Sequence, residues 1–148
     1  MHGGPALINL PVVVFGVVGN DIHVVANRIL HLCLEAKGFR PVNLGTNNRP
    51  ENFADAALEC AAEAVLVSSL NGEAMHWCRS FQGLFAERGI ADTIIYLGGN
   101  LATGDRPAAE VERSFLAVGI DRAYHGVADF DAVLATLHED IARGRATS

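Results

Sequence analysis

The sequence predicts an α/β fold built on a doubly wound, five-stranded parallel sheet. Short apolar runs rich in β-branched residues alternate five times with amphipathic stretches of helical length. No linker, repeat or low-complexity tract interrupts the alternation, and 148 residues is the length of one domain. Right-handed crossovers cover both faces of such a sheet when the strands follow the order 2-1-3-4-5. The expected architecture is therefore flavodoxin-like.

The first two elements have clear local signals. Residues 12–18 form a continuous β-branched run, as expected of a parallel strand buried on both faces. Residues 24–37 follow as a helix that ends at Gly38. Spacings of four, three and four predict its buried face, which comprises Val25, Ile29, Leu32 and Ala36.

The remaining elements continue the alternation to the end of the chain. Pro50 suits the first turn of a helix, and Gly89 ends another. The predicted strands are 40–44, 64–68, 93–97 and 122–124, and the predicted helices are 50–63, 74–87, 107–118 and 130–143. Residues 1–148 are predicted to form a single domain with loose termini at 1–11 and 144–148.

Composition disfavours several classes of partner. The net charge is −6 and no Lys/Arg cluster is present, so neither nucleic acid nor an anionic membrane is expected to bind. The longest apolar runs are strand-sized, well short of the ~20 residues of a membrane helix. Cys33, Cys60 and Cys78 are odd in number and widely spaced, which favours free thiols and a cytoplasmic location.

Candidate ligand-binding residues lie in the loops at the carboxyl ends of the strands, where open α/β sheets bind ligands. The loop after the first strand contains Asp21 and His23. A metal-binding histidine usually donates its other ring N–H to a carboxylate, which would make this pair a metal ligand and its orienting group. The alternative is that Asp21 caps the next helix and His23 is an ordinary helix residue.

Two further loops add short polar residues and glycines. Ser68 and Ser69 end the third strand, and their hydroxyls could bind a ligand or simply form a turn. Gly98 and Gly99 end the fourth strand and leave that part of the sheet edge without side chains, where backbone could approach a bulky ligand. Their spacing matches neither a dinucleotide-binding fingerprint nor a phosphate-binding Walker loop.

Together these loops resemble the B12-binding domain of adenosylcobalamin mutases and methionine synthase. The closer resemblance is to the separate small subunit of glutamate (methylaspartate) mutase, and it extends from about Val12 to about Leu137. Five segments carry it: 17–23, 36–39, 42–45, 67–70 and 96–100. The family motif continues as Asp-x-His-x-x-Gly, but Ala26 stands at the last position. Asn71 occupies a site where the glutamate mutase subunit has an aromatic residue.

The resemblance implies a role for each matching residue. His23 would be the lower axial ligand of cobalt in place of the cofactor's dimethylbenzimidazole, and Asp21 its hydrogen-bond partner. The displaced nucleotide tail would lie in a slot between the sheet and the first helix. The implied cofactor-binding residues are Asn20, Asp21, Ile22, His23, Val24, Ser68, Ser69, Leu70, Gly98, Gly99, Asn100, Leu101, Ala102, Thr103 and Gly104.

The implied activity is the interconversion of L-glutamate and 3-methylaspartate by radical rearrangement with adenosylcobalamin. A substrate-binding (β/α)8 barrel needs ~250 residues, so a separate large barrel-type subunit is expected to carry the groups that touch substrate. His76 and Trp77 are candidates to meet that partner or the corrin, whereas Glu110, Glu112 and Asp140 are expected on solvated helix faces.

Two other functions fit the same fold. One is a cobalamin-binding module without mutase activity, such as a carrier, a sensor or a methyl-transfer domain. Methyl-transfer domains usually add a helical cap before the fold, and the eleven residues before the first strand are too few for one. The other is a phosphoacceptor domain, which needs an aspartate where Ser68 and Ser69 end the third strand.

Overall fold

A computed structural model describes residues 10–19, 24–69, 72–126 and 128–147. Five parallel strands form one sheet in the order β2-β1-β3-β4-β5, which confirms the predicted topology. The strands are β1 (Val12–Val17), β2 (Arg40–Asn43), β3 (Ala64–Ser69), β4 (Ile94–Gly99) and β5 (Arg122–His125).

Within the described residues, six helices cover the two faces of the sheet. They are α1 (Val24–Ala36), α2 (Pro50–Cys60), α3 (Ala74–Cys78), α4 (Phe81–Glu87), α5 (Ala108–Leu116) and α6 (Phe130–Thr147). Helices α1 and α6 pack on one face, and α2 to α5 supply the core on the other. None of the helices in the described ranges is long and apolar enough to cross a membrane.

Each face of the sheet has its own hydrophobic core. On the α1/α6 face, Phe15 of β1 and Leu66 of β3 belong to one cluster with Leu34 and Leu134. On the opposite face the core is aromatic: Phe53, Phe81, Phe85 and Phe115 are each at most 2% exposed. Alternate strand residues serve the two cores, as a sheet covered on both sides requires.

The predicted buried face of α1 is wrong. The helix buries Leu30 and Leu34, whereas Ile29 is 47% and Leu32 61% exposed. Both sets of residues have helical spacing, so periodicity alone does not choose between them. The contacts that decide lie on the sheet and on α6, where Phe15, Leu66 and Leu134 meet Leu30 and Leu34.

The other predicted elements end within three residues of their observed limits, but two predictions differ by more. The predicted helix 74–87 is broken at Arg79 and Ser80, because the Ser80 hydroxyl donates to the Trp77 carbonyl at 3.1 Å and competes with helical bonding. The expected loose tail from residue 144 is helical to Thr147. This last helix is held onto the sheet by Ile141, which is 4% exposed.

Asp140 is not on a solvated helix face as expected; it joins α6 to the sheet. Its carboxylate accepts hydrogen bonds from the Tyr96 hydroxyl, from Arg122 at 2.7 and 3.1 Å, and from Arg143. The Asp140 side chain is 14% exposed. The Arg122 guanidinium is the main reason that the pKa of this carboxyl falls to about 2.

We predict that Asp140→Asn lowers the free energy of unfolding by about 1 kcal/mol at pH 7, since its charged partners are themselves partly exposed. The pKa of Asp140 is lower in the folded state than in the unfolded state. The charged carboxylate therefore stabilises the fold above about pH 4, and this stabilisation is lost as the pH falls toward about 2. Urea denaturation across that range should show the two proteins converging. The control is Asp131→Asn on the same helix, whose carboxylate is 73% exposed beside Lys37; a larger loss in this variant would contradict the role of Asp140.

Candidate functional site

A slot of about 370 Å³ opens between the carboxyl half of the sheet and helices α1 and α6. Strand register places Val17, Ser68, Gly98 and Tyr124 side by side on β1, β3, β4 and β5. The residues two positions earlier on β1, β3 and β4 pack in the α1/α6 core, so this row faces the same way. The slot therefore continues the α1/α6 core toward the carboxyl ends of the strands, beyond the last side chains that fill the space under the helices.

Gly98 creates much of the space in the slot. A Cβ placed on Gly98 would have the Tyr124 carbonyl oxygen as its nearest described neighbour, at 4.0 Å. The position thus has room for a side chain, and a side chain there would project into the slot. Gly99, which also lines the slot, has a φ of 122°, a value that side-chain-bearing residues rarely adopt.

The wall of the slot is mainly apolar, and its polar groups are few. Tyr96 and Tyr124 lie with their ring centroids 5.9 Å apart, and the Tyr96 hydroxyl is already bonded to Asp140. Besides the tyrosines, Asn27 and Ser68 are the polar side chains among the lining residues. Asn27 is only 8% exposed. Such a pocket suits a ligand with a flat apolar part and a small number of hydrogen-bonding groups.

Contacts on either side of Gly19 hold the start of the loop after β1. The Gly19 N–H donates to the Asn48 carbonyl at 2.8 Å. The buried Asn48 amide donates in turn to the carbonyls of Val17, Leu44 and Gly45 at 3.0–3.2 Å. The indole of Trp77 packs closely against Gly19: a Cβ at Gly19 would lie 3.0 Å from the indole nitrogen. Gly19, the last described residue before segment 20–23, is therefore held by contacts on two sides.

The predicted site residues fall into three groups. Asn20, Asp21, Ile22, His23 and Leu70 lie outside the described residues, and Val24 is the first residue of α1. The slot brings together Ser68, Gly98 and Gly99.

The rest of the predicted set lies away from the slot. Ser69 is 1% exposed, and strand alternation places it on the opposite face of the sheet. Leu101 is 1% exposed in the core on that face, and Ala102 packs against the same core. Asn100, Thr103 and Gly104 are exposed.

Sequence reasoning missed most of the slot. Asn27 had a readable signal, because it continues the buried face of α1 at spacings of three and four before Leu30 and Leu34. A buried amide on an apolar helix face needs a partner, which marks it as a candidate ligand contact. The lining residues outside the predicted set are Val17, Asn27, Leu30, Leu66, Val67, Tyr96, Leu97, Tyr124, Gly126, Ala128, Phe130, Val133 and Leu134.

The cysteines are unpaired, as predicted. Cys78 is fully buried, and burial raises the pKa of its thiol to about 12. A thiol so strongly held in its protonated form is a packing group and a poor nucleophile.

Comparison with known proteins agrees with the resemblance of the loops. Residues 11–125 match the B12 binding domain family. A glutamate mutase sigma subunit of Carboxydothermus hydrogenoformans is 42% identical over 128 residues, which cover 86% of this chain and 93% of that protein. Sigma subunit 2 of Haloarcula marismortui is 43% identical over 129 residues, covering 87% of this chain and 86% of that one.

Among solved structures, the monomethylamine corrinoid protein of Methanosarcina barkeri shares the fold. Its TM-score is 0.70 at 20% identity, and the alignment covers 91% of this chain and 62% of that one. At this level of identity the likeness concerns architecture alone, whereas the sigma subunits match in sequence over nearly their full length. The chain belongs to the B12-binding domain family and, within it, to the glutamate mutase sigma subunits.

Proposed function

We propose that this chain is the cobalamin-binding small subunit of an adenosylcobalamin-dependent isomerase that interconverts L-glutamate and 3-methylaspartate. The proposal includes a separate large subunit of the barrel type. The slot between the sheet and helices α1 and α6 carries it, since it offers a place for the cofactor's nucleotide tail. The near full-length similarity to glutamate mutase sigma subunits supports the choice of reaction.

The residues of the slot fit such a tail. Leu66, Leu134 and the two tyrosine rings supply apolar surface for a benzimidazole. Ser68 and the buried amide of Asn27 supply hydrogen bonds for the polar part of the tail. Gly98 leaves the space that the tail would fill.

The residues on either side of the proposed cobalt ligand in the chain support its assignment. Val17 and Asn27 both line the slot, and the segment with Asp21 and His23 lies between them in the chain. A tail in the slot would therefore place the cobalt end of the cofactor near His23. In this proposal an imidazole nitrogen of His23 would bind cobalt, and the Asp21 carboxylate would accept a hydrogen bond from the N–H of the other ring nitrogen and orient the ring.

When bound, the adenosyl form of the cofactor would supply radical chemistry through its weak cobalt–carbon bond. The residues of this chain would bind the cofactor, ligate cobalt and hold the nucleotide tail away from the metal. We assign the groups that contact the amino-acid substrate to the large subunit. The face of this chain that carries the loops at the carboxyl ends of the strands would then contact the large subunit.

The first prediction concerns cobalt ligation. Cobalamin bound to the purified chain should carry His23 on cobalt, with the dimethylbenzimidazole displaced. Electron paramagnetic resonance of the cob(II)alamin complex with 15N-labelled protein should show coupling to a 15N nucleus. Coupling to the cofactor's own 14N base would contradict the proposal, and His23→Gln should abolish the protein coupling.

A second prediction tests the slot. Gly98→Val adds a Cβ whose nearest described neighbour is 4.0 Å away, and valine favours a strand, so the folded protein should keep its thermal stability. The valine would occupy tail space and should raise the Kd for cobalamin at least about tenfold by steric exclusion. Gly83→Ala on α4, also without a close described neighbour, is the matched control. Unchanged titration of the Gly98→Val protein would show that the tail lies elsewhere.

A third prediction separates the mutase from a cobalamin carrier. The chain alone should not interconvert glutamate and 3-methylaspartate with adenosylcobalamin, because the substrate-binding groups are assigned to the partner. Adding a large subunit of glutamate mutase should give turnover that saturates with increasing amounts of this chain. Tight cobalamin binding without turnover, when tested with the large subunit encoded by the same genome, would favour the carrier.

A further inference from the structure

His125 at the end of β5 connects three parts of the fold. Its ring nitrogen Nδ1 accepts the Leu101 N–H at 3.0 Å, from the loop after β4. Its own backbone N–H donates to Oε2 of Glu112 on α5 at 3.0 Å. The next residue continues the contact, since the Gly126 N–H donates to the Gly99 carbonyl at 2.9 Å. His125 and Gly126 thus contact the end of β4, the loop after it and helix α5.

The end of β4 forms one wall of the slot. Gly98, Gly99 and Gly126 line the slot, and Leu101 is two residues beyond. The His125 side chain itself lies on the opposite face of the sheet, because Ala123, two residues earlier, belongs to the core there. His125 can therefore influence a ligand in the slot only through the backbone that it holds.

We propose that His125 is a positioning residue for the cofactor: through its bond to the Leu101 N–H it fixes the glycine wall of the slot. Glycines 98 and 99 have no side chains to hold them by packing, so their position depends on backbone pairing with β3 and β5 and on the hydrogen bonds of Gly126 and Leu101 beside them. The inference rests on the proposed function, since the cofactor in question is cobalamin. It adds a residue that contacts no part of the tail.

The hydrogen bond also defines the protonation of the ring. Nδ1 accepts a hydrogen bond from the Leu101 N–H, so the neutral imidazole carries its own proton on Nε2. Loss of the ring would leave the Leu101 N–H, on a residue 1% exposed, without this partner. An unpaired buried donor favours rearrangement of the loop toward another acceptor.

Two substitutions at His125 separate the hydrogen bond from the bulk of the side chain. His125→Leu keeps similar volume and removes the acceptor; the Kd for cobalamin should rise about tenfold, as expected for one buried hydrogen bond. His125→Asn places an amide oxygen the same number of bonds from Cα as Nδ1. It should restore affinity to within about threefold of wild type.

The matched control is His138→Leu. His138 bonds the Lys37 carbonyl at 2.7 Å and stacks on Phe39, at the far end of the sheet from the slot. This variant should lose thermal stability but keep its affinity for cobalamin. Titrations of all four proteins well below their melting temperatures keep the two effects apart.

A measurement without cofactor tests the anchor directly. The 15N shifts of the His125 ring in the wild-type protein should show an unprotonated, hydrogen-bonded Nδ1 and a protonated Nε2. A proton on Nδ1, or equal affinities for wild type and His125→Leu, would overturn the positioning role. Failure of the wild type to bind cobalamin would instead contradict the proposed function, whatever the nitrogen shifts show.

Discussion

The parallel register of four neighbouring strands is the constraint on which the rest of the site depends. It aligns Val17, Ser68, Gly98 and Tyr124 in one row at the carboxyl half of the sheet. Below this row, side chains from the sheet fill the space up to α1 and α6. At the row itself a serine and a glycine replace large residues, so the core gives way to a slot. A shift of one residue in any strand would send these positions to the opposite face.

The slot is bounded by groups that hold one another in place. The Tyr96 hydroxyl is bonded to Asp140, which also accepts from Arg122, so the tyrosine ring has a set position on the slot wall. At the slot wall formed by the end of β4, His125 and Gly126 hydrogen-bond to the backbone of Leu101 and Gly99. Because the glycines of the slot have no side chains that could pack against neighbours, hydrogen bonds of this kind hold their backbone in place.

Some parts of the site could be read from sequence because they depend on local chemistry. Ser68 and the two glycines were recognised because they end strands that periodicity locates well. Asn27 could have been found by asking why an amide interrupts an apolar helical face. His125 offered no such signal, because its partner Leu101 is 24 residues away and is contacted through a backbone atom. Glu112 and Asp140 have the spacing of exposed helix residues, yet their partners lie on other elements.

By itself the sequence determined the class of fold, the strand order, the approximate limits of most elements and the family. These follow from alternation of β-branched runs with amphipathic stretches, from glycine at helix ends, and from motifs that stay contiguous in the chain. Only the tertiary structure decided which face of α1 is buried, where α3 ends and α4 begins, and which residues enclose the slot. The physical reason is that α1 has two sets of apolar residues at helical spacing, and either set could form the buried face of an isolated helix. Contacts from β1, β3 and α6 bury Leu30 and Leu34 and leave Ile29 and Leu32 exposed.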